Sequence, residues 1–480
     1  MPDHFDLLVI GAGPAGEKGA AQAAYFGKTV CLVERGPKPG GNSVNTGGLP
    51  SKTLRETALY FSGLRQRGLY GVEYHVKSDI TISDFMFRER AVIESAWQLV
   101  GDNLAHHKVV TVQGHARVLD AHTIEVTRYR EPVQRLTADV ILIATGSHPV
   151  RPAEIPFDGE TVVDSDSLLT LSAIPPRLVV IGGGVIGCEY AGMFAALGVR
   201  VTLINARERL LTQLDSEISD ALRMEMTRRL GIHVMLNSEV REIRVDANGS
   251  RVATVSLTDG TELVADCVLY SIGRSGATAD MGLETAGVRT NNRGFILVDE
   301  HYRTTVPSIF AAGDVIGFPA LASTSMEQAR VAMCHAFDLR YKQRLSPVLP
   351  YGVWTVPEVA MVGETEETAR AKDLSYEIGK ASFRSNTRGQ IIGDLDGFVK
   401  LIFRRSDQEL IGCSIVGEGA SEMIHLAAAV MTFGGTIDYF IQAVFNYPTL
   451  SDAYKYAAYD GLQRLARRHA ASGSLPRVVQ

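Results

Sequence analysis

One unit, a short apolar strand followed by a glycine turn and a helix, occurs twice in this 480-residue chain, and few folds accommodate it twice. Phe5-Asp6-Leu7-Leu8-Val9-Ile10 reads as a strand and Gly11-Ala12-Gly13-Pro14-Ala15-Gly16 as the turn. The small residues from Gly19 to Ala24 read as a helix, and a second strand from Thr29 to Val33 ends at Glu34. Glycines permit the tight turn and let the backbone approach a pyrophosphate. The helix N-terminus favours its negative charge, and an acid closing the second strand accepts from ribose hydroxyls. The pattern returns as Leu178-Val179-Val180-Ile181, the turn Gly182-Gly183-Gly184-Val185-Ile186-Gly187, a helix from Cys188 to Leu197 and a strand from Val199 to Asn205. A lone G-x-G-x-x-G is weak. Two of them in full context predict an α/β chain with two Rossmann-like dinucleotide-binding domains, and the natural pairing is a flavin in one and a nicotinamide in the other.

The two units differ at the residue that meets the ribose. Glu34 closes the first, and the same step from Gly187 reaches the neutral Asn205. A carboxylate there accepts from the hydroxyls of NAD but repels the extra phosphate of NADP, by about 4 kcal/mol per charge pair at ~4 Å and an effective dielectric near 20. Asn205 removes that repulsion and is expected to keep hydrogen-bonding capacity for the ribose, and Arg207 and Arg209 follow closely enough to meet a phosphate, or else are solvated loop charges. The second site is therefore expected to use both NAD(H) and NADP(H).

Composition narrows the partners. The length exceeds one hydrophobic core, so several domains are expected. A net charge of −6 without a basic block makes nucleic acid and anionic membrane poor partners. Cys31, Cys188, Cys267, Cys334 and Cys413 are scattered with no C-x2-C pair, which fits free thiols in a reducing cytosol and argues against a disulfide scaffold or a metal site. Asp3 and Asp6 stand where a signal peptide carries cations, and the longest apolar run, 178–199, is interrupted by three consecutive glycines and Glu189. A cytoplasmic protein is the expectation.

Further landmarks follow in order. Residues 140–147 form an apolar strand ending in the Ala144-Thr145-Gly146 turn, and residues 309–314 another ending in Gly313-Asp314. With Ile272-Gly273-Arg274 and Thr355-Val356-Pro357-Glu358-Val359-Ala360, they make the chain resemble the pyridine nucleotide–disulfide oxidoreductase family, which includes glutathione reductase and lipoamide dehydrogenase. Residues 203–211, 313–319 and 445–449 are most similar to its branch of soluble, Si-specific NAD(P)+ transhydrogenases. One departure stands out. Residues 40–52 have the frame of the family's redox loop, but its C-x4-C positions hold Ser43 and Gly48. That branch keeps one cysteine there; this chain keeps none. The family's C-terminal His-Pro has become Tyr447-Pro448, and its acid Asp452. Loss of disulfide chemistry accounts for both changes.

The resemblance implies a glutathione reductase-like fold: an FAD-binding domain from residues 1–148 and 275–346, an NAD(P)-binding domain at 149–274, and a C-terminal α+β dimerisation domain at 347–467 that makes a homodimer. The small and polar residues after it, at 468–480, read as a mobile tail. It implies that FAD is held by Gly11, Gly13, Pro14, Ala15, Gly16, Glu34 and Arg35, by Gly41, Asn42, Ser43 and Lys52, by Ala116, by Ala144, Thr145 and Gly146, and by Gly313, Asp314 (on the ribityl chain) and Ala322. Nicotinamide nucleotides fall to Gly182, Gly184, Val185, Ile186, Gly187, Glu189, Asn205, Arg207, Arg209 and Gly273. Lys52 and Glu189 are expected to pair under the flavin's reactive edge, the cation stabilising the reduced, anionic ring. Ser43 either bonds flavin or substrate or fills the cysteine's space. Cys188 reads as a small buried hydrophobe, His425 as structural and Asp452 as a structural or helix N-terminal acid.

The activity expected is ping-pong transhydrogenation. NADPH reduces bound FAD and leaves, and NAD+ enters the same site and takes the hydride. An NAD(P)H:quinone reductase or diaphorase is a second reading, and a non-catalytic sensor of the NADP(H) ratio a third. Asn205→Glu is predicted to weaken NADP(H) binding far more than NAD(H) in equilibrium titration. Equal losses for both would show that residue 205 does not read the 2′-phosphate.

Overall fold

The computed structural model describes residues 3–63, 69, 81–246 and 252–472. The chain begins with β1 (His4–Ile10), α1 (Pro14–Tyr25), β2 (Val30–Glu34), α2 (Gly41–Asn45), α3 (Gly48–Ser62), α4 (Ile82–Phe85), α5 (Phe87–His106) and β3 (Val110–Gln113). An antiparallel meander follows: β4 (His115–Val118), β5 (Thr123–Thr127) and β6 (Gln134–Ile143). β6 is long because it serves two partners in succession. Its first half pairs antiparallel with β5, and its second half runs parallel to β1 with Leu8 opposite Ile141. Parallel strands covered on both faces read as continuous apolar runs, as Leu7 to Ile10 do.

β7 (Ser147–Pro149) leads into the second unit: β8 (Val162–Val163), β9 (Arg177–Ile181), α6 (Val185–Ala196), β10 (Arg200–Ile204), α7 (Ser216–Arg228) and β11 (His233–Met235). A meander follows again, β12 (Val240–Val245), β13 (Ala253–Leu257) and β14 (Glu262–Ala265), and then β15 (Cys267–Tyr270). The parallel order is β11-β10-β9-β15-β8, and in the first unit it is β3-β2-β1-β6. The repeat seen in sequence is therefore a repeat of topology. β16 (Arg274–Gly276) pairs antiparallel with β7, and β17 (Ile309–Ala311) then adds to β6 of the first sheet, so that sheet is built from both sides of the second unit. α8 (Ala322–Ala336) packs on α1.

The last unit holds β18 (Tyr351–Val353), β19 (Val359–Gly363), α9 (Glu366–Ala371), β20 (Tyr376–Ser382), α10 (Thr387–Ile392), β21 (Phe398–Arg404), β22 (Leu410–Val416), α11 (Ala420–Thr432), α12 (Asp438–Gln442) and α13 (Ala453–Ser472). Its sheet is antiparallel, ordered β18-β19-β22-β21-β20, with α11 and α13 against it. α13 runs on to Ser472, so the first residues of the expected tail are helical; residues 473–480 lie outside the described ones. Among the described residues no helix is long and apolar enough to cross a membrane.

Glycine is required where strand, turn and helix converge. Gly11 has φ +103°, and a Cβ there would stand 2.5 Å from the Ala144 carbonyl oxygen; one on Gly16 would stand 1.8 Å from that of Gly11. The second unit repeats this at Gly182 and Gly187, at 2.6 Å from the Ser271 and 1.9 Å from the Gly182 carbonyl oxygens. These contacts allow each helix to start directly over its strand.

Two buried cations join the last unit to the other two. Arg55 of α3, 2% exposed, donates to the Thr355 carbonyl at 3.0 Å and pairs with Glu358 at 3.2 Å. Lys400 of β21, 1% exposed, lies 2.9 Å from Asp215 at the start of α7, 2.5 Å from Glu366 and 3.2 Å from Glu217. Burial works against the Lys400 charge, but hydrogen bonds from its amine to Glu366 and Asp215 outweigh it and raise its pKa. Glu217 is depressed, its own desolvation being overcome by Lys380 and Lys400. The lysine's contribution is thus full below its unfolded value of about 10.4, and the glutamate's above its unfolded value of about 4.3. Lys400→Met leaves Asp215 buried without its cation and is expected to cost about 3–5 kcal/mol. Denaturant unfolding at mildly acid and mildly alkaline pH should give the same deficit, and a loss below about 1 kcal/mol would show the cluster to be solvated.

Candidate active site

The first glycine turn opens on space. Pro14 occupies the first helical position of α1, where a missing N–H costs nothing. A Cβ on Gly13 would meet only Gly41 Cα, at 3.7 Å, and one on Gly184 in the second unit would meet nothing within 4 Å. Both helix N-termini therefore face room of the kind a pyrophosphate needs. Glu34 ends β2 and shapes the turn: one carboxylate oxygen accepts from the Ala12 N–H and the other from the Gly36 N–H, both at 2.7 Å. Arg35 follows it, exposed.

Other expected residues converge on the same region. Thr145 Oγ1 is buried without a hydrogen-bond partner, an orphan that a ligand would satisfy. Ser147 is a junction. Its hydroxyl donates to Asp314 at 3.1 Å and accepts from Arg274 Nε at 2.8 Å, and its carbonyl accepts from Asn42 at 2.6 Å. Ala144 and Gly146 lie in the turn after β6, and Ala322 is the first residue of α8. Gly273, at φ +149°, precedes β16. Ala116 is buried in β4, where only its backbone can serve a ligand. These residues fit a bound dinucleotide in each unit.

The loop retains the shape of a dithiol site without the thiols. Ser43 lies in α2 and Gly48 opens α3. A Cβ built on Gly48 would stand 3.2 Å from Ser43 Oγ, so the two positions still face each other. All five cysteines are buried and free. Burial pushes the thiols of Cys31, Cys267 and Cys413 up to about 12 and that of Cys188 above the usual thiol range. Cys188 Sγ lies 3.5 Å from the Gly183 carbonyl, in keeping with a packed residue. Tyr447 is exposed, its hydroxyl 2.7 Å from Thr387 Oγ1, and Asp452 immediately precedes α13.

Lys52, one turn into α3, reaches Glu189 of α6. Nζ lies 2.9 and 2.7 Å from the two carboxylate oxygens. The helix carrying Glu189 starts at Val185, earlier than the sequence reading placed it, because Gly184 caps it directly. Glu189 is 4% exposed, and the Trp354 backbone N–H donates to it at 3.0 Å. The Trp354 ring lies 5.0 Å from Lys52 Nζ. Sequence reasoning missed Trp354, because nothing in the spacing of residues 351–360 says that its N–H meets another unit's carboxylate. It also missed Ser147 as a junction.

Asn205 differs in detail from its expected role. Its Nδ2 donates to the carbonyls of Arg207 at 3.0 Å and Arg209 at 2.9 Å, and its Oδ1 accepts from the Gly183 N–H at 3.1 Å. Both donors are spent on the loop that carries the arginines, which a carboxylate could not do. Asn205 thus sets the loop's course as well as removing a charge.

Residues 5–336 match the family described as pyridine nucleotide-disulphide oxidoreductase, and residues 349–458 match that family's dimerisation domain. Curated relatives called soluble pyridine nucleotide transhydrogenase include one from Mycobacterium bovis BCG, 44% identical over 463 residues (96% of this chain and 98% of that one). Another, from Azotobacter vinelandii, is 40% identical over 472 residues (96% and 99%). Among solved structures, LpdA from Mycobacterium tuberculosis superposes with a TM-score of 0.86 at 28% identity over 94% of this chain and 99% of that one. The HOCl-induced flavoprotein disulfide reductase RclA from Escherichia coli gives 0.84 at 28% identity over 95% and 99%.

Lys52→Ala removes one preorganised charge and is expected to slow flavin reduction by NADPH roughly 10- to 1000-fold while FAD stays bound. Stopped-flow absorbance reads the rate and the flavin-to-protein ratio reads retention; unchanged kinetics would take Lys52 out of the mechanism.

Proposed function

The chain belongs to the pyridine nucleotide-disulphide oxidoreductase family, whose members depend on FAD and use NAD(P)H, and on that premise we propose that it is a soluble pyridine nucleotide transhydrogenase passing hydride from NADPH to NAD+. The observation that carries this reading is the Lys52–Glu189 pair, kept beside a loop that has lost both thiol positions. Electrons that enter such a site cannot leave through a disulfide, and this reading returns them to a nucleotide. Bound FAD supplies the two-electron carrier that links the two half-reactions.

The chain's own residues provide the rest. The turns at Gly11–Gly16 and Gly182–Gly187 set two helix N-termini toward pyrophosphates. Lys52, held by Glu189, places a positive charge where negative charge develops, and Glu189 is fixed by the Trp354 N–H. Hydride transfer requires close approach of the two rings and little acid–base help, which suits a site without a catalytic histidine. Neutral Asn205 leaves one nicotinamide site open to both nucleotides, as two half-reactions through a single site require.

The same reading assigns residues 1–148 and 275–346 to FAD, 149–274 to the nicotinamide nucleotide, and 347–467 to a homodimer interface in a cytoplasmic enzyme. An anaerobic stopped-flow experiment tests the activity. NADPH is expected to bleach the flavin band, and thio-NAD+ to restore it with one thio-NADH formed per flavin. Bleaching that only a quinone or oxygen reverses would move the protein to the diaphorases. Bound flavin that does not bleach would make it a nucleotide sensor.

A further inference from the structure

The two arginines that follow Asn205 stand in unequal surroundings. Arg207 is exposed, its guanidinium donates to the Thr212 hydroxyl at 2.8 Å, and it forms no ion pair among the described residues. Arg209 is half-buried, with its guanidinium 3.6 Å from Glu367 and 3.8 Å from Glu208. The Glu208 side chain is 75% exposed, so water screens its charge; that of Glu367 is 35% exposed.

Glu367 is foreign to the nucleotide unit. It sits in the first turn of α9, in the C-terminal unit. One of its oxygens accepts from the Ser216 N–H at 3.2 Å, and the other is buried without a hydrogen-bond partner. Desolvation works against its charge, but the hydrogen bonds, led by that from Ser216, hold its carboxyl below the ordinary range. Its position is fixed from both sides. Glu366 donates its N–H to Asp215 at 3.3 Å, and buried Lys400 ties Asp215 to Glu366. The carboxylate is therefore presented to the arginine loop by a rigid, buried joint.

The geometry points to Glu367 as a specificity-determining residue that neutralises Arg209 and so weakens the site for the 2′-phosphate of NADP(H), leaving Arg207 as the cation that binds it. This rests on the reading that one site serves both nucleotides. Two unopposed arginines would hold the phosphate dianion and delay release of NADP+, whereas alternation needs each nucleotide to leave before the other enters. A carboxylate beside one arginine lowers the local potential without touching the ribose, so NAD(H) is spared.

Isothermal titration of the FAD-loaded protein with NADP+ and with NAD+ tests this. E367Q keeps the size of the side chain and an acceptor for Ser216 while removing the charge. It is expected to tighten NADP+ roughly 3- to 10-fold and to leave NAD+ within about twofold. The gain should shrink at high ionic strength. R207Q should weaken NADP+ selectively. The double variant R209Q/E367Q removes the neutralised pair together and should keep the wild-type ratio of the two affinities, which supplies an answer if E367Q alone does not fold. Equal shifts for both nucleotides in E367Q, or an unchanged ratio, would overturn the proposal and leave Glu367 a docking residue. Failure of the two-nucleotide reading has its own signature, a wild-type protein that binds NAD+ alone. In that case NADP+ binding gained in E367Q still supports the proposal, and none gained overturns it as well.

Discussion

The pairing of Lys52 with Glu189 sets the terms for the whole molecule. A carboxylate 4% exposed is tolerable only with its charge met and its lone pairs filled. The cation comes from α3 of the first unit and the acid from α6 of the second, while a third unit contributes the Trp354 N–H. All three must be docked for the pair to exist. Arg55 and Lys400 perform that docking, each a buried cation reaching from one unit to another. The C-terminal sheet is thus a clamp on the Lys52–Glu189 pair as well as a candidate interface.

Much of this was readable in the chain. The two glycine turns, their strands and their helices follow from local rules of backbone space and apolar runs, and they occupy residues 4–34 and 177–204, although both helices begin earlier than the sequence indicates, at Pro14 and Val185. The thiol-free loop and the Lys52–Glu189 pair were legible through resemblance. The rest depended on contacts across long sequence separations. Thr355 receives Arg55 and Asp215 receives Lys400 from distant segments, and no periodicity announces either. Asn205 was legible as a missing charge but not as a loop fastener, because the groups it binds are backbone carbonyls, whose direction no side-chain identity encodes.

Glu34 and Asn205 show how one position supports two outcomes. Glu34 is the last residue of β2 and Asn205 the first after β10, and both accept from the backbone N–H of the turn's second residue, Ala12 or Gly183. Beyond that shared bond they diverge. Glu34 spends its other oxygen on the Gly36 N–H, and Asn205 turns two donors on the carbonyls that follow it. The choice of acid or amide decides which backbone groups the next loop must present, and so where its side chains stand.

The facing of Ser43 and Gly48 has a consequence for electron capacity. A dithiol opposite the flavin would let each subunit store a second electron pair and accept two reductants in succession. A hydroxyl facing a hydrogen atom stores none, and the five thiols are buried as free cysteines elsewhere. Each subunit is therefore a register with one place. It cannot be over-reduced through thiols, and an excess of donor gains it nothing until an acceptor has cleared that place.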